Sequence, residues 1–219
     1  PFSKTILEIR GERDLRVLQK IYANGVLLGD QSELGWGVRY ATEFHMTNDS
    51  RLFIARDKAE EAGYKPDEYG RWIGTEGDVL LPLYEGRMIG QFDFSKKGWV
   101  SGKGRTAVWR EIPWEKKVIE PQFLMRQSDA WAPESKTHRG PKIAYMRIGS
   151  ATNTRTVTAT YLSDIPSGDS VFYFLPSFDP IDVSLSVVGM SGTYCYDFLA
   201  RARVGGLNLS EFIMVETAL

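Results

Sequence analysis

The side chains best suited to binding a polar ligand fall in one stretch, residues 142–162 of the 219-residue chain. Arg147, Asn153 and Arg155 surround a turn of small residues there, and residues 156–161 then alternate between threonine and apolar side chains. Such alternation is typical of a half-buried strand, so the stretch predicts a hairpin with these three side chains at its tip. Guanidinium and amide groups can contact phosphates and base edges. The other reading is a solvated hairpin tip that binds nothing.

A second basic segment runs from Ser95 to Arg105 and carries Lys96, Lys97 and Lys103 among glycines. Such a loop suits phosphate contacts, because backbone amides and cationic side chains can both approach the ligand, although it is also typical of an ordinary solvated loop. The chain has 27 Lys and Arg against 28 Asp and Glu, a net charge of −1. Any nucleic-acid partner must therefore be bound by a local patch and not by the overall field.

Residues with the spacing of an active site are scarce. The two histidines are far apart in sequence, and a lone Cys195 can form neither an internal disulfide nor a cysteine metal cluster. One enzymatic alternative is a magnesium-dependent nuclease, in which an aspartate and a later Glu-x-Lys hold the ion. Its residues would be Asp67 with Glu134 and Lys136, or Asp67 with Glu115 and Lys117. Pairs so loosely spaced arise by chance in a chain with 25% charged residues, so no catalytic or metal-binding residue is assigned.

Hydrophobic spacing predicts the elements that would position these residues. A stripe of apolar side chains over residues 15–22 predicts an N-terminal helix, and the pattern of residues 181–203 predicts a long C-terminal helix. Residues 121–126 and 171–175 are expected to be strands. Residues 79–94 are expected to form a hairpin around Glu85-Gly86-Arg87, with Pro82 at an edge of the sheet.

These elements favour one α+β domain over residues 1–219, with twisted and mostly antiparallel sheets. A hydrophobic content of 42% is ordinary for a globular protein, and 12% aromatic residues support a substantial core. The chain begins at Pro1 without methionine, which favours a fragment of a longer protein. The sequence has no apolar run of membrane-spanning length, and its single cysteine fits a reducing cytoplasm.

Four stretches resemble motifs of large adenine-specific DNA methyltransferases from restriction and phage-defence systems. In chain order they are FHMTNDSRLF (44–53), LYEGRMIGQFD (83–93), RIGSATNTRT (147–156) and FLARARVGGLNL (198–209). In that family the stretches belong to a target-recognition domain, similar to the TaqI-like specificity domain, which follows the catalytic domain and reads the DNA sequence. The catalytic Asn-Pro-Pro-Tyr motif does not occur in this chain, because none of its four asparagines precedes a proline.

The resemblance implies a non-catalytic recognition domain of an N6-adenine DNA methyltransferase or of a fused restriction-modification enzyme. Its partners would be double-stranded DNA and the methyltransferase catalytic domain. That catalytic domain would bind S-adenosylmethionine and methylate a flipped adenine, so no cofactor is expected in this chain. A further alternative is a protein-docking module, in which the helix at residues 181–203 binds the methylase or a second subunit.

Under the recognition hypothesis, the candidate DNA-binding residues divide into two groups. Phosphate contacts are assigned to Arg87, Lys103, Arg105 and Arg203. Base-edge contacts are assigned to Gln91, Arg126, Arg147, Asn153 and Arg155, because Arg pairs well with guanine and Asn or Gln with adenine. Asn208 is a further DNA-binding candidate and also a candidate cap of the final element.

Overall fold

The computed structural model describes residues 7–175 and 180–219, and the α+β class predicted from the sequence is confirmed. The helices are α1 (Glu12–Asn24), α2 (Arg56–Glu61), α3 (Gln127–Ala130), α4 (Pro180–Ser191), α5 (Tyr194–Arg203) and α6 (Glu211–Val215). The strands are β1 (Arg39–Ala41), β2 (Phe53–Ala55), β3 (Lys65–Pro66), β4 (Trp72–Ile73), β5 (Val79–Leu83), β6 (Lys97–Ser101), β7 (Val108–Glu111), β8 (Phe123–Arg126), β9 (Pro141–Met146), β10 (Ala159–Ser163) and β11 (Val171–Leu175). Within the described ranges, no helix has the length and apolar character needed to cross a membrane.

A four-stranded antiparallel sheet, in the order β1-β11-β9-β10, contains the predicted hairpin. Strand β9 pairs with β10, with Ala144 opposite Thr160. The second strand begins at Ala159 and not at residue 156, because the amides of Thr156 and Val157 bond to a helix side chain instead of a strand. The connection between the strands is therefore a long loop, residues 147–158, and not a tight turn.

The helices at the C-terminal end pack on one face of this sheet. Alternation along β9 directs Tyr145 toward the helices, where its ring stacks on Phe174 with centroids 4.8 Å apart. Val187 of α4 and Tyr196 of α5 belong to the same buried cluster. The helical layer thus holds α5 against the strands that carry the 147–158 loop.

The opposite face of the sheet is covered by residues 84–89. Ala144 and Tyr173 lie on this face and share a buried cluster with Tyr84, Met88 and Ile89. The backbone of Tyr84 also pairs with residues 166–168, through Tyr84 N to Pro166 O and Gly168 N to Tyr84 O, both 2.9 Å. These contacts fix the segment that follows β5 beside the end of β9.

A second, five-stranded antiparallel sheet has the order β2-β8-β5-β4-β3. The strand predicted over residues 121–126 is confirmed as β8, but the hairpin over residues 79–94 is wrong. The chain leaves β5 to bond with residues 166–168 and then forms a 3₁₀ turn at Gly86–Met88. Strand β5 lies in the middle of the sheet, between β8 and β4. Because β4 pairs only with Val79 and Leu80, Pro82 has a strand neighbour in this sheet on one side only, which is β8, so its own position resembles the expected edge.

The N-terminal helix is confirmed as α1, but the single long C-terminal helix is wrong. It is divided into α4 and α5 at Gly192 and Thr193. A Cβ atom at Gly192 would collide with the ring of Phe92, and Thr193 caps α5 by accepting a hydrogen bond from the Tyr196 amide at 3.2 Å. The cap suggested for Asn208 is also wrong, since Ser210 occupies the N-cap position of α6.

An ion pair lies fully buried in the four-stranded sheet region. Lys142 of β9 places its Nζ 2.7 Å from Oε1 of Glu43, and neither side chain is exposed to solvent. Glu43 also accepts hydrogen bonds from the amides of His138 and Ser167, each at 2.8 Å. The lysine Nζ lies 4.6 Å from the centroid of the Tyr173 ring. The pair therefore joins residues about a hundred positions apart in the chain, with most of its polar atoms satisfied.

Candidate nucleic-acid interface

The 147–158 loop is held in shape by two side chains of α5. Asp197 Oδ1 accepts hydrogen bonds from the amides of Thr156 and Val157, at 2.8 and 2.9 Å. Its other carboxylate oxygen pairs with Arg201 at 2.9 Å. Arg201 in turn donates to the carbonyl oxygens of Ala151 and Thr154, at 2.9 and 3.2 Å. One carboxylate and one guanidinium thus satisfy four backbone groups of a loop without regular structure.

Arg155 connects this loop to the break between α4 and α5. Its Nη2 donates to the carbonyl oxygen of Gly192 at 2.7 Å, and its guanidinium lies 5.8 Å from the centroid of the Tyr194 ring. Its Nε is buried and has no hydrogen-bond partner among the described residues. Arg155 therefore stabilises the loop through Nη2, while its Nε–H donor has no acceptor among the described residues.

Three of the predicted base-reading residues meet in one cavity of about 590 Å³, here called the Asn153 cavity. Its lining consists of Gln91, Lys96, Thr152, Asn153, Thr154, Arg155 and Thr158. Gln91 is oriented by the Ala159 amide, which donates to its Oε1 at 3.1 Å, and its Nε2 has no partner among the described residues. Asn153 is exposed, and no carboxylate of the described residues contributes to the lining. The cavity thus presents two amides, two cations and hydroxyls, a set suited to phosphate and base-edge contacts.

One predicted phosphate-binding residue lines a second cavity of about 450 Å³, here called the Glu85 cavity, and two more are sequence neighbours of its lining. Its lining consists of Met46, Glu85, Gly86, Arg87, Gly104, Gln122, Met146, Ile148 and Ser170. Arg87 lines the cavity directly, while Lys103 and Arg105 flank its Gly104. All three cations are exposed, and none forms an ion pair with another described residue. The segment from Glu85 to Lys96 contributes residues to both cavities.

Glu85 is the one carboxylate that lines the Glu85 cavity in the described part of the chain. Burial raises the pKa of Glu85 from 4.5 to about 7, and the nearby Arg87 guanidinium opposes that rise only in part. The Oε1 atom is buried and has no hydrogen-bond partner among the described residues. Glu85 thus places an acceptor, without a partner in the described ranges, beside exposed cations.

This raised pKa predicts how stability depends on pH. Between pH 4.5 and 7 folded Glu85 keeps a proton that it has lost in the unfolded chain, so the contribution of Glu85 to stability is greatest below about pH 4.5 and is lost as pH rises through 7. Glu85→Gln is expected to remove this dependence and to stabilise the protein by about 3 kcal/mol at pH 8, since the pKa is raised from 4.5 to about 7 and each pKa unit is worth about 1.4 kcal/mol. Urea unfolding at pH 5 and pH 8 measures the effect, with the exposed Glu33→Gln as a control. Equal pH dependence in wild type and Glu85→Gln would contradict it.

Arg147 lies at the end of β9 but does not line either cavity. Its Nη1 is 3.1 Å from Asp169 Oδ2, and its guanidinium lies 5.3 Å from the centroid of the Phe172 ring. Met146 and Ile148 do line the Glu85 cavity, and alternation places Arg147 on the other face of the chain. The expectation that it shares a hairpin tip with Asn153 and Arg155 is therefore wrong.

The remaining candidates are dispersed over the molecule. Arg203 is committed to the core, because its Nη1 pairs with Glu216 at 2.8 Å and its Nε donates to the Tyr22 hydroxyl at 2.9 Å, so its predicted phosphate contact is wrong. Arg126 is exposed at the end of β8, 4.0 Å from Asp78, and lines neither cavity. Asn208 is exposed and pairs through its backbone with Ile148, at the margin of the Glu85 cavity.

Asp67 and Lys117 of the nuclease alternative both line a cavity of about 720 Å³, but each is already paired with another residue. Asp67 binds Arg71, whose Nε lies 2.8 Å from Oδ2. Lys136 pairs with Asp49 and Lys117 with Asp93, each at 2.7 Å. Within residues 7–175 and 180–219, no three His, Cys, Asp or Glu residues are grouped so as to hold a metal ion.

Comparison of the sequence with protein-family models and with curated proteins found no match. The interface is therefore defined by its own geometry. No role was predicted for Glu85 from the sequence, although this residue lies inside the motif at residues 83–93. Asp197 and Arg201, the pair that binds the loop, were also not predicted. The spacing of that pair, i and i+4 on a helix, was the available signal.

Proposed function

We propose that this chain is a sequence-specific DNA recognition domain, acting with the catalytic domain of an N6-adenine DNA methyltransferase or of a fused restriction-modification enzyme. The observation that supports it best is the convergence of Gln91, Asn153 and Arg155 in the Asn153 cavity. Two of these residues lie 62 positions or more from the first, yet all three meet in a lining that includes no described carboxylate. The resemblance of four motifs to recognition domains agrees with this placement.

The proposed division of labour follows from which side chains are free. Asn153 offers a whole amide group that can pair with adenine, and Gln91 offers the Nε2 donor that has no partner among the described residues. Lys96 offers a cation to an adjacent phosphate. The three exposed cations of the Glu85 cavity bind further phosphates and fix the register of the duplex. Arg155 has one donor committed to Gly192, so it contributes to the shape of the cavity as well as to contact.

Fluorescence anisotropy with random-sequence duplexes, titrated at low and moderate salt, tests the proposal. Affinity is expected to fall steeply with salt, with a slope that counts the phosphates contacted. Sequencing the duplexes that the protein retains is expected to give a defined site. Absence of salt-dependent binding, or retention of random sequences only, would contradict the proposal.

Single substitutions in the Asn153 cavity sharpen this test. Asn153→Ala is expected to weaken binding to the selected site about tenfold, because it removes a base contact while leaving the backbone bonds of the loop in place. Lys96→Ala is expected to lower the salt slope by about one. Arg126→Ala is the matched control, an exposed arginine outside both cavities, and is expected to change neither quantity. An effect of Arg126→Ala as large as that of Asn153→Ala would place the interface elsewhere.

One observation also favours a docking role for α4. Ile181 and Leu185 are more than half exposed on one face of this helix, and they are spaced i and i+4. We propose that this face contacts the methyltransferase catalytic domain, in the cytoplasm. Ile181→Asp with Leu185→Asp is expected to reduce co-purification of the two domains while leaving DNA binding by this chain unchanged. Retained co-purification would argue against this second role.

A further inference from the structure

The Glu85 cavity contains an acceptor that no described group of the protein uses. Two of its other polar side chains are engaged: the Ser170 hydroxyl accepts from the Gly86 amide at 2.9 Å, and Gln122 Nε2 donates to the Gly102 carbonyl oxygen at 3.2 Å. Oε1 of Glu85 is buried without a partner. A buried polar atom without a partner costs about 1–3 kcal/mol, and a ligand that supplies a donor would recover that cost.

The surroundings of this carboxylate restrict what can bind it. Met46, Met146 and Ile148 provide an apolar wall, so the cavity suits a flat, partly apolar group. The exposed cations Arg87, Lys103 and Arg105 stand at or beside the cavity, where they attract the DNA backbone. A phosphate would be attracted by these cations, but the negative charge of the Glu85 carboxylate would repel a phosphate inside the cavity.

We propose that Glu85 accepts a hydrogen bond from the exocyclic amino group of a base, either cytosine N4 or adenine N6. The inference rests on the proposed function and adds a specificity-determining residue to it. In the major groove the amino groups are the only hydrogen-bond donors, whereas guanine N7 and O6, adenine N7 and thymine O4 are acceptors. A carboxylate whose Oε1 has no partner among the described residues therefore favours a base pair whose amino group faces the protein and disfavours an acceptor at that position.

The test compares wild type with Glu85→Ala at pH 8, using duplexes selected from a random pool by each protein. Wild type is expected to require one base with an amino group that Glu85→Ala does not require. Replacing that base by an analogue without the amino group, purine for adenine or 2-pyrimidinone for cytosine, is expected to weaken wild-type binding about tenfold and Glu85→Ala binding less than twofold. Glu33→Ala, which removes an exposed glutamate outside the cavity, is expected to behave as wild type.

The outcomes separate the inference from the function beneath it. If wild type selects a site and Glu85→Ala shows the same sequence preference and the same sensitivity to the analogue, the inference is wrong and the proposed function stands. If wild type selects no site, both fail. Should Glu85→Ala not fold, Glu85→Met takes its place, because its side chain has a similar length and no oxygen acceptor, and it is expected to reduce the sensitivity to less than threefold. Binding of Mg²⁺ alone by wild type and not by Glu85→Gln would identify a cation site and overturn the inference.

Discussion

Replacing Lys142 with methionine is expected to destabilise the protein by about 4 kcal/mol. The substitution keeps the length of the side chain but leaves the Glu43 carboxylate buried without its counter-charge. Breaking a buried pair by removing one partner typically costs about 3–5 kcal/mol, far more than the pair itself contributes. Urea unfolding at neutral pH measures the change.

Two further variants distinguish this mechanism from a general intolerance of the site. Lys136→Met removes an exposed lysine paired with Asp49 at the same distance of 2.7 Å, and it is expected to cost less than about 1 kcal/mol. Combining Lys142→Met with Glu43→Gln removes both charges and is expected to recover about half of the loss. A double variant as unstable as the sum of the two single variants would contradict the assignment of the loss to an uncompensated charge.

Local patterns in the sequence predict the elements that local spacing determines. The stripe of α1, the buried strand β11 and the strand β8 each follow from periodicity within about ten residues. Lys142 shows the limit of prediction from local patterns. It opens an apolar run, and a lysine there is ordinarily exposed, but Glu43 and the Ile165 carbonyl oxygen supply its partners from 99 and 23 residues away. No pattern within the stretch specifies those partners.

The same limit explains why some candidate site residues are free to bind a ligand and others are not. Asn153 and Arg203 are both polar residues in motifs that resemble those of recognition domains. Asn153 lines a cavity, whereas Arg203 is buried against Tyr22, 181 residues away. Charge and motif indicate that a side chain is capable of binding, but the tertiary partner decides whether it is free to do so. The break of the C-terminal helix likewise depends on Phe92, which contacts Gly192 from a distant segment.

Asp197→Ala is expected to destabilise the protein by about 3 kcal/mol and to release the 147–158 loop. Thr156 and Val157 are buried, and without the carboxylate their amides lose their acceptor at a cost of about 1–3 kcal/mol each. Arg201 also loses the partner that orients it toward Ala151 and Thr154. Hydrogen exchange is expected to show faster exchange of the two amides, and urea unfolding gives the free energy.

The effect on DNA binding distinguishes Asp197, which positions the loop, from Asn153, which is proposed to contact the DNA. Asp197 is buried behind the loop that carries Asn153, so Asp197→Ala is expected to weaken DNA binding about as much as Asn153→Ala does. Asp197→Asn keeps an oxygen acceptor for the two amides, so most of their protection from exchange is expected to return. In Asn153→Ala the two amides are expected to stay protected throughout. The exposed Asp182→Ala, in the first turn of α4, is the control and is expected to cost less than about 1 kcal/mol. Since Oδ1 of Asp197 accepts from both amides and Oδ2 pairs with Arg201, Asp197→Ala removes both attachments of the loop to α5. Continued protection of the two amides in this variant would show that the sheet and not α5 holds the loop.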